Sequence, residues 1–512
     1  MITDFNDPSV GPVVVADVCI IGAGAAGITM AHKYIDSGKK VLLLESGGTN
    51  RESETEALNN LTLNENIDAN IEGIRNGGDS CRQRFFGGTT NHWAGWCRPL
   101  DALDFSQRDW VPGSGWPITL DDLNDYYLAA QDYCDLINPA FDIAQANSVI
   151  AELPEYAADK LKSVLWTVSP PTRFGIKYRD SLSSADNITV LLHANVVKVV
   201  TGESESSVTS LSVRSLQGKE STIVAKQYVI ACGALENARL LLSSNSRNPD
   251  GIGNQSGMVG KNYQNHPHVH TAIVQAVDPD AMTEMYKKTM TEDGNRLIVG
   301  LSAGEIAQEQ AKILNFGATI PQLSVSTDGY LRQMWNEVWS GKMPTDFYNK
   351  MKRVVSDLIG NESEEQHEVF IYTEQAPSNE SKIVLTDEKD AVGMPRIRMD
   401  WQLNELDKHT VQIGTQLIAE EFGRLNLGKI QINDWVMKDA KTWSSVWGGC
   451  HHIGTTKMSS DPEIGVVDSD CKVHGIDNLY IAGSSVFPTG GHAPPTFTIV
   501  ALALRLFDHL QS

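Results

Sequence analysis

Three stretches of this 512-residue sequence hold side chains able to do chemistry. Cys450-His451-His452-Ile453-Gly454-Thr455 sets two imidazoles just ahead of a glycine turn. An imidazole, with an ordinary pKa near 6.5, can take a proton close to neutral pH. Neighbours in an extended segment face opposite ways, so His451 and His452 cannot both serve one site. A second stretch, Gly490-Gly491-His492-Ala493-Pro494-Pro495-Thr496, places another imidazole in a glycine- and proline-rich loop. Near the other end, Gly22-Ala23-Gly24-Ala25-Ala26-Gly27 has the spacing of a dinucleotide loop. Gly22 permits the tight turn, Gly24 lets the backbone approach a pyrophosphate, and Gly27 lets a helix lie close on a strand. The phosphates then meet the unpaired N–H groups of that helix start. Glu45, 18 residues past Gly27, can accept from a ribose diol, and an acid there argues against NADP. The motif by itself leaves NAD and FAD open.

These groups need elements to hold them. Val13–Ile21 is a β-branched run that reads as a buried parallel strand, followed by a helix with Ile28, Ala31 and Ile35 on one face. Ser37-Gly38 ends it, and Lys40–Leu44 returns as a second strand before Glu45-Ser46. Tyr228-Val229-Ile230-Ala231-Cys232-Gly233 repeats the pattern of strand, glycine and helix, with the helix expected over Leu235–Leu242. That is a doubly wound α/β arrangement. Ile188–Val200 and residues 207–216 read as paired strands, and Thr119 with Asp121 and Asp122 as a helix start. Gly87-Gly88-Thr89-Thr90-Asn91-His92-Trp93 joins flexible glycines to hydroxyls and large rings, with N–H and O–H donors for a pyrophosphate or flavin edge. From about 280 to 440 no glycine fingerprint occurs. Helices are expected there over Thr345–Ile359 and Asp407–Phe422, and strands over Val369–Tyr372 and Arg396–Met399, as a separate substrate-covering domain.

Composition removes several functions. The net charge of −22 comes with no basic patch, which excludes nucleic acid and anionic membrane surfaces as partners. Seven scattered cysteines without CxxC suit reduced thiols in a reducing compartment. Neither a signal peptide nor a transmembrane helix is expected, and a cytoplasmic location follows. His266-Pro267-His268-Val269-His270 puts three imidazoles on one strand face, but no carboxylate or cysteine joins them at a ligand spacing, so no metal is expected.

Taken in order, the GxGxxG loop with Glu45, the Gly87-Gly88 loop, His451-x-x-Gly454-Thr455 and the closing Leu479–Ser485 strand with its Pro-Thr helix resemble the glucose–methanol–choline (GMC) flavoprotein oxidoreductases. The likeness runs from Val13 to His509. Gly88–Trp93 most resembles the branch of pyranose oxidases and bacterial sugar dehydrogenases. The resemblance implies FAD in a doubly wound, Rossmann-like domain made of residues 1–110, 185–275 and 445–512. An α+β substrate domain on an antiparallel sheet would comprise 111–184 and 276–444. Gly22, Gly24, Gly27 and Glu45 would hold the ADP half, with Val197 beside the adenine. Gly88, Thr89, Asn91 and His92 would flank the flavin, Ala482-Gly483 would run along its ring, and Ala25, Ala26, Ser46, Gly87, Trp93, Ala231, Gly233, Pro494 and Thr496 would complete the cofactor site. FAD is expected to be noncovalent, a bond through His92 being the alternative.

By the same matching His451 is the base that takes a hydroxyl proton while the carbon gives its hydride to flavin N5. The donor would be a sugar, glycoside or related polyol. One position departs from the family: Pro494 stands where an Asn or His partner is usual, and proline has no side-chain donor. His492 is the candidate replacement. The departure keeps a second reading open, a GMC-fold biosynthetic enzyme of altered chemistry (oxidative cyclisation, desaturation or lyase). Dioxygen, a quinone or a redox protein are all open as electron acceptor, as are a homo-oligomer and a small accessory subunit, with which export would be compatible.

Overall fold

The computed structural model describes residues 1–64, 71–72, 81–146, 148–323, 366–444 and 446–511. An eight-stranded sheet lies at its centre, in the order Ile2–Asp4, Ile188–Leu192, Val41–Leu44, Val13–Ile21, Glu220–Ile230, Val208–Arg214, Asn195–Thr201. Leu479–Ile481 also pairs with Glu220–Ile230. The strands from Ile2–Asp4 through Glu220–Ile230, with Leu479–Ile481, run parallel, and the last two are antiparallel. Parallel strands are buried on both faces, and Val18–Ile21 and Val41–Leu44 are accordingly apolar without alternation. The helices Ala25–Lys33 and Thr496–Gln511 pack together in this domain, the second burying Phe497, Leu504 and Phe507.

The reading of 188–200 as one strand is corrected. His193 adopts a left-handed φ of 58° and breaks the run. Ile188–Leu192 joins the parallel sheet, and Asn195–Thr201 turns away to pair with Val208–Arg214.

A second sheet of ten strands is mostly antiparallel. Its path runs Ile71–Glu72, Val446–Gly448, Pro267–Ala276, His367–Thr373, Phe316–Thr319, Arg296–Ala303, Leu161–Val168, Trp96–Cys97. The helix Glu405–Arg424 covers it with Val411, Ile418 and Phe422 buried. Asn404 caps that helix, accepting from the N–H groups of Leu406 and Asp407. The helix expected over Thr345–Ile359 lies outside the described residues. No helix among the described residues is long and apolar enough to cross a membrane.

Two connections matter for the site. The chain leaves the glycine-rich loop directly into the Trp96–Cys97 strand, and it enters the second sheet again at Pro267. Both crossings put polar loop residues at the seam between the sheets.

The cysteines contain the other correction. Cys81 and Cys450 form a disulfide across 369 residues of sequence, while Cys19, Cys97, Cys134, Cys232 and Cys471 are free. Wholly reduced thiols were expected from their scatter, but scatter along the chain says nothing about distance in space. The segment before the glycine loop and the segment before His451 meet at one cavity wall.

Candidate active site

A cavity of about 620 Å³ runs along the seam. At one end, Gly22 has a φ of +102° and a Cβ there would stand 2.6 Å from the Ala231 carbonyl oxygen. A Cβ on Gly27 would meet the Gly22 oxygen at 1.9 Å, so the helix can lie on its strand only as glycine. Gly24 and Gly483 have no such neighbour: nothing stands within 4 Å of a Cβ on either, and both line the cavity. Bare backbone beside a helix start fits a pyrophosphate. Glu45 is buried, with Oε2 accepting from the Ala23 N–H at 3.0 Å and Oε1 from the Gly47 N–H at 2.9 Å. Burial pushes its pKa up, against those two N–H groups. Its free lone pairs fit a ribose diol, and these residues together fit FAD.

Of the expected cofactor residues, Gly22, Gly24, Ala25, Ala26, Glu45 and Ser46 line this end. Gly88, Thr89, His92 and Trp93 continue the wall, and Ala231, Gly233, Gly483, Pro494 and Thr496 complete it. Gly27, Gly87, Asn91, Val197 and Ala482 are not on the wall. Gly87, with a φ of +103°, is packed against the Asn91 amide and the Gly175 backbone, and Asn91 Nδ2 donates to the Phe86 carbonyl. Those two shape the loop from behind. Where Val197 was expected, Ala194, Asn195 and Val196 stand instead, because the break at His193 resets the strand.

The imidazoles occupy the other end. Gln264 and Ile453 exchange both N–H···O bonds at 3.0 Å, and the Gly449 N–H donates to the His266 carbonyl at 2.9 Å. This short antiparallel ladder brings the 264–266 and 449–453 segments side by side. Asn265 locks it: its Oδ1 accepts from the backbone N–H of both His266 and His451 at 2.9 Å, and its Nδ2 donates to Tyr263 Oη. The His451 and His266 Nδ1 atoms lie 2.8 Å apart, leaving Nε2 as the His451 nitrogen available to the cavity it borders. His452 is tied through Nδ1 to Tyr263 Oη at 2.8 Å. Burial pushes the His451 pKa well below its ordinary value, and His266, His268 and His452 add to the shift. Burial likewise lowers His266 to about 4, and His268 and His452 to about 3. The cluster is neutral near pH 7.

His492 and Pro494 also border the cavity. Both His492 nitrogens are shielded and without a hydrogen bond: Nε2 lies 3.7 Å from Asp101 Oδ2, and Nδ1 packs toward Gly317. Asp101 in turn holds Arg98 at 2.8 Å and Lys162 at 3.0 Å. Above the imidazoles, Trp96 packs against Trp166 at 5.5 Å and Tyr372 at 5.7 Å, and Phe370 and Trp447 extend this aromatic wall. Asn265 and the pairing of His266 with His451 carried no signal in the sequence. The run of three histidines was visible, but its partner lies 185 residues away.

Residues 178–268 match the N-terminal and residues 377–503 the C-terminal family model described as GMC oxidoreductase. The 2-methyl-1,2-propanediol dehydrogenase of Mycolicibacterium austroafricanum is 27% identical, over 97% of this chain and 95% of the relative. The fructose dehydrogenase large subunit of Gluconobacter japonicus is 23% identical, over 96% and 97%. A crystal structure of formate oxidase superposes with a TM-score of 0.55 over 98% of this chain and 99% of that one, at 16% identity, a likeness of fold. The chain is similar to the GMC oxidoreductases and is an FAD-dependent flavoenzyme.

Proposed function

We propose that this flavoenzyme oxidises a carbon bearing a hydroxyl group, in a sugar, glycoside or related polyol, with His451 as the base. Its relatives act on fructose and on a propanediol, which supports an alcohol-type substrate. Bound FAD supplies the hydride acceptor, at flavin N5. The protein must then take the hydroxyl proton, and the observation that carries the reading is His451 itself. Its Nδ1 is engaged by His266, its ring borders the cavity, and its neutral form persists near pH 7. The aromatic wall of Trp96, Trp166 and Tyr372 offers flat apolar faces to the CH side of a ring.

In this reading the FAD domain comprises 1–110, 185–275 and 445–512 apart from the strands Ile71–Glu72, Trp96–Cys97, Pro267–Ala276 and Val446–Gly448, which belong to the second sheet, and the substrate domain is built on that sheet. Val197, Ala482, Gly27, Gly87 and Asn91 support the cofactor from behind the wall, and the other expected residues touch it. His492, two residues before the Pro494 that stands at the place of the usual partner, acts as its replacement beside Asp101. A dehydrogenase or an oxidase fits equally, the acceptor being a small oxidant or a redox protein. The Cys81–Cys450 bond favours an oxidising compartment over the cytoplasm.

The test is anaerobic mixing of the yellow holoenzyme with a panel of sugars and polyols. Bleaching is expected with at least one, and His451→Ala should slow it about 10²–10⁴-fold with FAD still bound. Bleaching by no alcohol would favour the second reading, altered chemistry tied to Pro494.

A further inference from the structure

We propose that His266 is a positioning residue that fixes the tautomer of His451, keeping a hydrogen on His451 Nδ1 and leaving Nε2 as the bare nitrogen that faces the cavity. This rests on the reading of His451 as base. Two neutral imidazoles whose Nδ1 atoms lie 2.8 Å apart share one hydrogen between them. If His451 donates, its Nε2 is an acceptor. If His266 donates, His451 turns an N–H toward the substrate and cannot take a proton from it.

The reading of His451 as base decides between these: Nδ1 is taken up by the pair, Nε2 is the nitrogen left for the cavity, and a base needs it bare, so the shared hydrogen sits on His451 Nδ1. His266 Nε2, packed against Gly490, then carries the one hydrogen of that ring. With that hydrogen at Nε2, the His266 Nδ1 is the acceptor and His451 the donor. Other groups do not compete for His451 Nδ1. His452 is bound to Tyr263, and His268 approaches only ring to ring, at 6.1 Å. The frame is rigid as well: Asn265 Oδ1 takes the backbone N–H of both residues, and the two rings meet nearly at right angles, with centroids 4.9 Å apart. A donor–acceptor pair seated this way selects one tautomer.

The experiment is ¹⁵N NMR of the holoenzyme labelled at histidine ring nitrogens, with the His451 signals assigned by their loss in His451→Gln. Wild type should show His451 protonated at Nδ1 and bare at Nε2. His266→Asn places an amide oxygen where Nδ1 was and should keep that pattern; His266→Phe should lose it. In stopped flow with the alcohol that bleaches the flavin, His266→Phe should reduce it at least about 10-fold more slowly at unchanged substrate affinity, and His266→Asn should restore most of the rate. A wild-type His451 protonated at Nε2, or an unaltered tautomer in His266→Phe, would overturn the proposal. Both are read without turnover, so they are separate from failure of the base assignment, which would show as full flavin reduction in His451→Ala.

Discussion

Replacing Asn265 with alanine tests whether the imidazole pair is built by the ladder beneath it. Asn265 is almost fully buried, at 1% exposure, and does not line the cavity. Its Oδ1 is the acceptor for two backbone N–H groups, those of His266 and His451, each at 2.9 Å. Truncation leaves both donors unsatisfied in a place water reaches poorly. Each should cost about 1–3 kcal/mol, so the variant should lose about 2–6 kcal/mol of stability. Tyr263 keeps its bond to His452, so that side chain adds little to the loss. The functional effect is larger than any direct contact explains, because the His451 backbone is freed to drift, and a displacement of about 1 Å can slow a reaction about 10²-fold. Denaturant titration measures the first quantity and anaerobic stopped flow the second, while FAD fluorescence should show cofactor affinity unchanged. A variant that loses less than about 1 kcal/mol and reduces its flavin within about twofold of wild type would refute this account of how the site is assembled.

Gly24→Ala should leave the stability of the apoprotein nearly unaltered, since no atom stands within 4 Å of the new methyl, yet should weaken FAD binding at least about 10-fold by entering the phosphate space. Equal affinity by equilibrium fluorescence would count against that placement. Arg108 and Glu374 form a fully buried pair with contacts at 2.9 and 2.6 Å. Arg108→Met should cost about 3–5 kcal/mol, most of it recovered in Arg108→Met/Glu374→Leu, and a single variant as stable as wild type would show that the charge of Glu374 is not stranded. His266, His268 and His452 all titrate below their ordinary value because they are buried. The unfolded chain therefore binds their protons first, and stability should drain as pH falls below about 6.5, by about 2 kcal/mol per group at pH 5. A flat denaturation midpoint from pH 7 to 5 would contradict the burial of this cluster. Cys450→Ser removes a cross-link closing a loop of several hundred residues and should destabilise by about 2–4 kcal/mol, a loss that Cys81→Ser should match and the double variant not exceed.

The glycine fingerprint was legible because its physics is local. Turn, bare backbone and close helix packing lie within the six residues from Gly22 to Gly27, and the structure puts a φ of +102° and a 1.9 Å approach where the spacing demands them. Strands such as Val13–Ile21 and the helix Glu405–Arg424 were legible for a similar reason, since periodicity and capping are short-range. Where long-range geometry decides, the sequence was silent or misleading. Ile188–Val200 is rich in β-branched residues on both sides of His193-Ala194-Asn195, and the left-handed His193 splits it between two partners. The same break puts Val196, and not Val197, on the cavity wall. Nothing in the spacing of Cys81 and Cys450 marks them as partners, and nothing marks Asn265 as the acceptor that ties its neighbour His266 to the distant His451.

On the proposed reading of His451 as base, its strength follows from which charges the fold neutralises. A carboxylate on His451 Nδ1 would strengthen the imidazole and raise its pKa, and part of the enzyme would then wait protonated and idle near neutral pH. Acids do lie nearby. Asp101 is tied to Arg98 and Lys162, and Glu374 is held at both oxygens by Arg108. With the anions occupied elsewhere, burial dominates at His451 and keeps it unprotonated. The neutral partner His266 then orients the ring without supplying charge. The consequence is a weaker base that is always ready, and one that holds its proton poorly once it has it. The acid limb of flavin reduction should accordingly lie below pH 6.5, because a lowered pKa keeps the neutral form present to lower pH. A limb centred above 6.5 in the wild type would mean that an anion, and not His266, governs the imidazole.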